Sequence, residues 1–109
     1  MTFRVESTTP QSGRGETSPA IDAVRTASGL RITVFQGQKT TGGYSVRVER
    51  VGKRGGELRV HASFSEPGPD AIVTQALTSP AQTISVDVAA DAVVLVDQAG
   101  AERARTAPR

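Results

Sequence analysis

Through the middle of the chain, apolar and polar residues alternate with a period of two. Leu30, Ile32 and Val34 alternate with Arg31, Thr33 and Phe35, and Tyr44, Val46 and Val48 with Ser45, Arg47 and Glu49. Leu58, Val60, Ala62 and Phe64 alternate with Arg59, His61 and Ser63, and Ile84, Val86 and Val88 with Ser85 and Asp87. An extended chain sends successive side chains to opposite faces, so this spacing predicts half-buried strands. Ala71 to Leu77 and Ala92 to Val96 are more continuously apolar, which predicts strands covered on both faces. Each run is bounded by Gly, Pro, Asp or Ser, and no stretch sustains a 3.6-residue period. Six to seven strands with short polar turns and no crossover helix predict an all-β domain. The pattern fits a small antiparallel β-sandwich or a partly open barrel and leaves the choice between them open.

One hairpin follows in detail. The runs at 44–51 and 57–64 flank Gly52-Lys53-Arg54-Gly55-Gly56, a five-residue loop rich in residues that tolerate positive φ. Pairing centred on Arg54 sets Val48 opposite Val60, Val46 opposite Ala62 and Tyr44 opposite Phe64. The other face then pairs Glu49 with Arg59 and Arg47 with His61. A slip of one residue would set Val against Arg along the whole hairpin, so the pairing is well specified.

The ends read differently. Residues 7–20 are rich in Ser, Thr, Gly and Pro and bury little, so residues 1–20 are expected to form a flexible lead-in, with Thr2 to Glu6 as a short strand at most. Pro19 to Arg25 fits a brief strand or a helical turn, and residues 101–109 are expected to fray as a tail. A single β domain is left at residues 21–100. With 109 residues and no Cys, the chain builds one core without disulfides or thiolate metal ligands. Thirteen basic side chains against eleven acidic ones give a formal charge of +2. That excess is small for a nucleic-acid binder, and four aromatic residues make thin stacking platforms, so no nucleic-acid partner is expected. No run approaches the length of a membrane span, and Met1 to Ala20 lacks the apolar stretch of an intact signal peptide.

Candidate chemistry is sparse. A lone His61 precludes a multi-His metal site, and its place in mid-strand between arginine-bearing positions suits a partly exposed strand residue. Asp70, Asp87, Asp91 and Asp97 fall at strand ends or turns, where Asp favours the loop backbone. No nucleophile with a base, carboxylate pair or cofactor fingerprint emerges, so no catalytic residue, metal or cofactor is expected. Gly37-Gln38-Lys39-Thr40-Thr41-Gly42-Gly43-Tyr44 has the composition of a phosphate loop, but Lys39 precedes the glycines and a strand follows. Without a helix N-terminus, the aligned N–H groups that hold phosphate are missing. Ser65-Glu66-Pro67-Gly68-Pro69-Asp70 is the second unusual segment, stiffened by two prolines around a glycine.

Thr41-Gly42-Gly43-Tyr44-Ser45-Val46 after Gly37, then Pro67-Gly68-Pro69, then Val73-Thr74-Gln75-Ala76-Leu77-Thr78-Ser79-Pro80 resemble, in that order, the PrcB C-terminal domain family. The resemblance covers about residues 30–96. It implies association with a bacterial surface protease complex and an exported or cell-surface location, although residues 1–20 do not look like a leader. Lys39 to Tyr44 is also similar to the N-P-T-T-G-Y loop of chagasin-type inhibitors of cysteine proteases, with Gly43 inserted before the Tyr and no Asn-Pro ahead. The expected function is a non-enzymatic protein-binding module whose partner is a protease or its assembly. A protease inhibitor and a purely structural domain are the alternatives. The expected contact residues are Thr40, Thr41, Gly42, Gly43, Tyr44, Pro67, Gly68 and Pro69. Tyr44 serves either as an interface anchor or as core filler against Phe64.

Overall fold

The computed structural model describes all 109 residues and contains eight strands and no helix. In chain order these are β1 (Arg4–Thr9), β2 (Ala20–Arg25), β3 (Leu30–Phe35), β4 (Ser45–Arg54), β5 (Glu57–Ser65), β6 (Ala81–Val86), β7 (Ala92–Val96) and β8 (Glu102–Thr106). They form two four-stranded sheets, β1-β6-β3-β2 and β4-β5-β7-β8, packed as a sandwich rather than closed into a barrel. Alternating residues of both sheets meet in one core of sixteen side chains, among them Leu30, Ile32, Val34, Val48, Leu58, Val60, Ile84 and Leu95. Each of the larger of these contributes roughly 1.5–3 kcal/mol by leaving water.

The sandwich differs from the expected one in its strand count and in one pairing. β5 and β7 run parallel, Leu58 beside Val93 and Val60 beside Leu95. Parallel neighbours need a long crossover, and here the chain supplies it by leaving the sheet, building β6 in the opposite sheet and returning. β7 is covered on both faces as its unbroken apolar run predicts, with Val93 to Val96 all buried.

The β4–β5 hairpin forms, but with a tighter turn and a different register. β4 extends to Arg54, which pairs with Glu57 across the two-residue connection Gly55-Gly56. Val46 therefore lies opposite Phe64, and Val48 opposite Ala62. A bulge between Val48 and Arg50 then sets Arg50 opposite His61 and Val51 opposite Val60. The shift keeps the expected residues inward, because moving by two preserves the face, and the bulge brings Val51 into the core as well. The predicted Glu49–Arg59 and Arg47–His61 pairs are absent: Glu49 bonds Arg47 of its own strand at 2.9 Å, and Arg59 bonds Glu57 at 3.1 Å.

Both ends join the sheets instead of trailing from them. β1 pairs with β6, and β8 with β7. The C-terminus adds two main-chain bonds to β2, Arg25 N–H to Arg109 O at 2.8 Å and Arg109 N–H to Ala23 O at 3.1 Å. On the opposite side the β4 edge faces β1 through buried Gln82 of β6. Its Oε1 accepts the Val48 N–H at 2.7 Å, while its Nε2 donates to Thr8 Oγ1 at 3.0 Å. One side chain thus satisfies an edge N–H and ties the two sheets together.

Candidate functional site

The two segments singled out in the sequence lie at one end of the sandwich, where the chain passes between sheets. The 36–44 segment links β3 to β4 and the 66–80 segment links β5 to β6, so each must cross from one sheet to the other. This explains why Ala71 to Leu77 is not the predicted strand. A strand needs a neighbouring ladder, and the segment runs across the end of both sheets where none is free. Ile72 and Leu77 of that apolar run are consequently exposed.

The segments interlock. Lys39 and Thr78 exchange a pair of main-chain bonds, Lys39 N–H to Thr78 O at 2.7 Å and Thr78 N–H to Lys39 O at 2.9 Å. Thr78 Oγ1 donates to Thr41 O at 2.7 Å, and the Gly42 N–H donates to Thr74 O at 2.9 Å. Gly43, at φ +89°, lies so close to the second segment that a Cβ there would sit 2.8 Å from Pro67 Cβ and 2.9 Å from Val73 Cγ1. Only glycine combines that backbone angle with that approach. The N-terminal segment buttresses the pair: Ser12 N–H donates to Ser79 O at 2.9 Å, and Gln11 Nε2 donates to Leu77 O at 2.9 Å.

The expected contact residues therefore divide into two groups. Thr41, Gly42, Gly43 and Pro67 are engaged in the loop-to-loop packing and act as its base. Thr40, Gly68 and Pro69 are exposed, Gly68 and Pro69 on the outer turn of the 66–80 segment. Ile72 follows on the same turn and is fully exposed. Sequence reasoning missed it because an apolar run reads as buried until the path of the chain is known.

Tyr44 lies just before β4, half-buried, and does not oppose Phe64, which pairs with Val46. Tyr44 and Phe64 instead line a shared cleft of about 660 Å³ with Gln36, Lys39, Glu66 and Arg103. Lys39 Nζ stands 5.2 Å from the centre of the Tyr44 ring, within cation–π range. Gln36 is buried and donates through Nε2 to Ser65 O at 3.0 Å. Gln98 grips the Phe64 main chain from the other wall, accepting its N–H at 3.1 Å and donating to its carbonyl at 2.8 Å. Beside Gln98, Asp97 accepts the Ala101 and Ala99 N–H groups and faces Arg103 at 3.2 Å. These partners, the Ala101 N–H foremost, hold its carboxyl below the usual carboxylate range, so Asp97 works as a charged clamp on the β7–β8 turn.

His61 is remote from this end in bonding terms. It is half-buried on β5 with Arg50 at 3.5 Å, and burial together with the charges of Arg50 and Arg59 lowers its pKa. A cation wedged between two guanidinium groups is disfavoured, so His61 is neutral at physiological pH.

A family model described as PrcB C-terminal matches residues 30–87, just over half the chain. The chain belongs to the PrcB C-terminal family. The match runs from the first residue of β3 to the residue after β6, so it contains both interlocked segments and leaves β1, β2, β7 and β8 outside. It ends before β7, short of the residue-96 limit that the sequence motifs suggest. No curated protein and no solved structure matches the chain.

Proposed function

We propose that this PrcB C-terminal domain is a non-enzymatic protein-binding module of a protease assembly, and that it meets its partner through the end of the sandwich where the 36–44 and 66–80 segments interlock. One observation carries the reading: two segments far apart in sequence are locked together, with Pro67 packed on Gly43, and leave Ile72 and Pro69 standing outward. Building so rigid an end lowers the entropy lost on association, and a partner that covers the fully exposed Ile72 gains by taking apolar surface out of water. Rigid loops on a β scaffold are a common site of recognition. The non-enzymatic character is supported by His61, whose side-chain hydrogen bond goes to Arg50 and not to a Ser or an acid.

Affinity capture from the native host tests the proposal. Tyr44→Ala, and separately Pro67→Ala combined with Pro69→Ala, should each reduce recovery of the partner at least about tenfold, the loss expected from removing one interface anchor. Thermal unfolding would verify that the variants remain folded. Undiminished recovery with both variants refutes the assignment of this end as the contact surface.

A further inference from the structure

The outer turn of the 66–80 segment has four properties that bear on what its partner is. The first is the side chain: Ile72 is fully exposed while its neighbour Val73 is half-buried against Gly43. The second is the main chain. From Asp70 to Val73 the only main-chain hydrogen bond is Ala71 N–H to Gly68 O at 3.1 Å. The N–H and C=O of Ile72 are thus both free to pair with another chain as an added strand.

The third is pinning on both sides. Pro67 meets Gly43 ahead of Ile72, and Val73 meets Gly43 behind it. Thr74 O is held by the Gly42 N–H, Leu77 O by Gln11, and Thr78 by Lys39. Pro67 and Pro69 also fix φ on the approach. The fourth is charge. Ser65 to Pro80 contains Glu66 and Asp70 but no Lys, Arg or aromatic residue, although basic residues outnumber acidic ones in the chain as a whole.

We propose that this turn is a substrate-like inhibitory loop that seats Ile72 in the primary specificity pocket of a serine protease preferring small aliphatic side chains. This rests on the proposed function above and names the class of partner. A protease cleft pairs with the main chain of its substrate and takes one side chain in the primary pocket. The Ile72 turn presents an unpaired Ile72 main chain and one outstanding aliphatic side chain, held between contacts on both sides. Lack of any Lys or Arg excludes an acidic trypsin-type pocket, and lack of an aromatic residue excludes a deep chymotrypsin-type slot, which leaves the small aliphatic pocket of the elastase type. Resistance to turnover follows from the pinning. Hydrolysis of the Ile72–Val73 bond would consume one water and leave a carboxylate on Ile72 and an amine on Val73. Val73 packed on Gly43, and Thr74 held by Gly42, keep that amine at the scission point, where the bond reforms.

The test uses the full chain against leukocyte elastase. Competitive inhibition is expected at micromolar protein, and Ile72→Asp should weaken it at least about 30-fold, as loss of a central anchor does. Ile72→Lys should abolish inhibition of elastase and create inhibition of trypsin. Because Ile72 is fully exposed, neither substitution disturbs the core, which thermal unfolding would verify. No inhibition of elastase, inhibition indifferent to residue 72, or rapid cleavage after Ile72 as an ordinary substrate each overturns the proposal. If elastase is unaffected while capture of the host partner still depends on Tyr44 and the two prolines, the inhibitory loop falls and the binding reading stands. Inhibition that persists alongside capture indifferent to those residues gives the reverse.

Discussion

Replacing Gly43 with alanine probes the contact on which the whole candidate site is built. At φ +89° an L-residue is strained, at a cost of about 1–2 kcal/mol. The new methyl group would also meet Pro67 Cβ at 2.8 Å and Val73 Cγ1 at 2.9 Å, well inside the separation of about 3.5–4.0 Å at which carbon atoms rest. Both neighbours belong to a segment tied at Thr74 and Thr78, so neither withdraws freely, and overpacking of this kind costs about 1–3 kcal/mol. The expected loss is about 2–5 kcal/mol, limited by the free energy of lifting the 66–80 segment off its base. Gly55→Ala supplies the reference: it has φ +59° but nothing within 4 Å of the added carbon, so it carries strain alone, about 1–2 kcal/mol. Urea unfolding followed by circular dichroism gives both values, and limited proteolysis within 66–80 shows whether the segment has lifted. Equal losses for the two variants, with no added cleavage in Gly43→Ala, would refute the claim that this approach locks the loops.

Two further outcomes follow from other parts of the fold. Gln82→Leu removes the acceptor of the Val48 N–H and the donor to Thr8. The orphaned edge donor should cost about 1–3 kcal/mol and speed hydrogen exchange at the Val48 amide, and an exchange rate equal to wild type would contradict the bridging role. The pKa of His61 is lowered on folding by burial first and then by Arg50 and Arg59. The unfolded chain therefore binds more protons than the folded one over the interval between the depressed value and the ordinary one near 6.5. Stability should be complete above the ordinary value, fall as pH drops through that interval and level off below it. His61→Gln should flatten this slope in urea midpoints measured across pH, and a slope of unchanged size would assign it to other groups.

Much of the architecture was legible because burial imposes a two-residue period on any half-covered strand. Val46, Val48, Val60 and Ala62 were readable as inward-facing and remain so although the register moved, since a shift of two residues preserves the face. The shift itself was not legible: it depends on whether the turn closes over five residues or two and on a bulge that sequence does not mark. The Arg-rich tail and the Ser/Thr-rich start look unable to order themselves. They form edge strands because β6 and β7 offer unpaired ladders, a property of the partner strands and not of the segments. At the site, Gly42-Gly43 and Pro67-Gly68-Pro69 were conspicuous by composition, but only the fold shows that the first pair serves as the base for the second segment.

The amino-acid sequence by itself determined that this protein is all-β, that its apolar runs cluster between residues 30 and 96, and that its unusual residues sit in connections rather than strands. Those conclusions depend on local periodicity and turn chemistry, which are carried by near neighbours in the chain. Tertiary structure alone decided that β5 and β7 run parallel, that Gln82 joins two edges, and that Ile72 stands in water although its neighbours in sequence suggest burial. Each of these depends on which sheet the chain enters next, and hydrophobic burial, being non-directional, does not encode that choice in the local pattern.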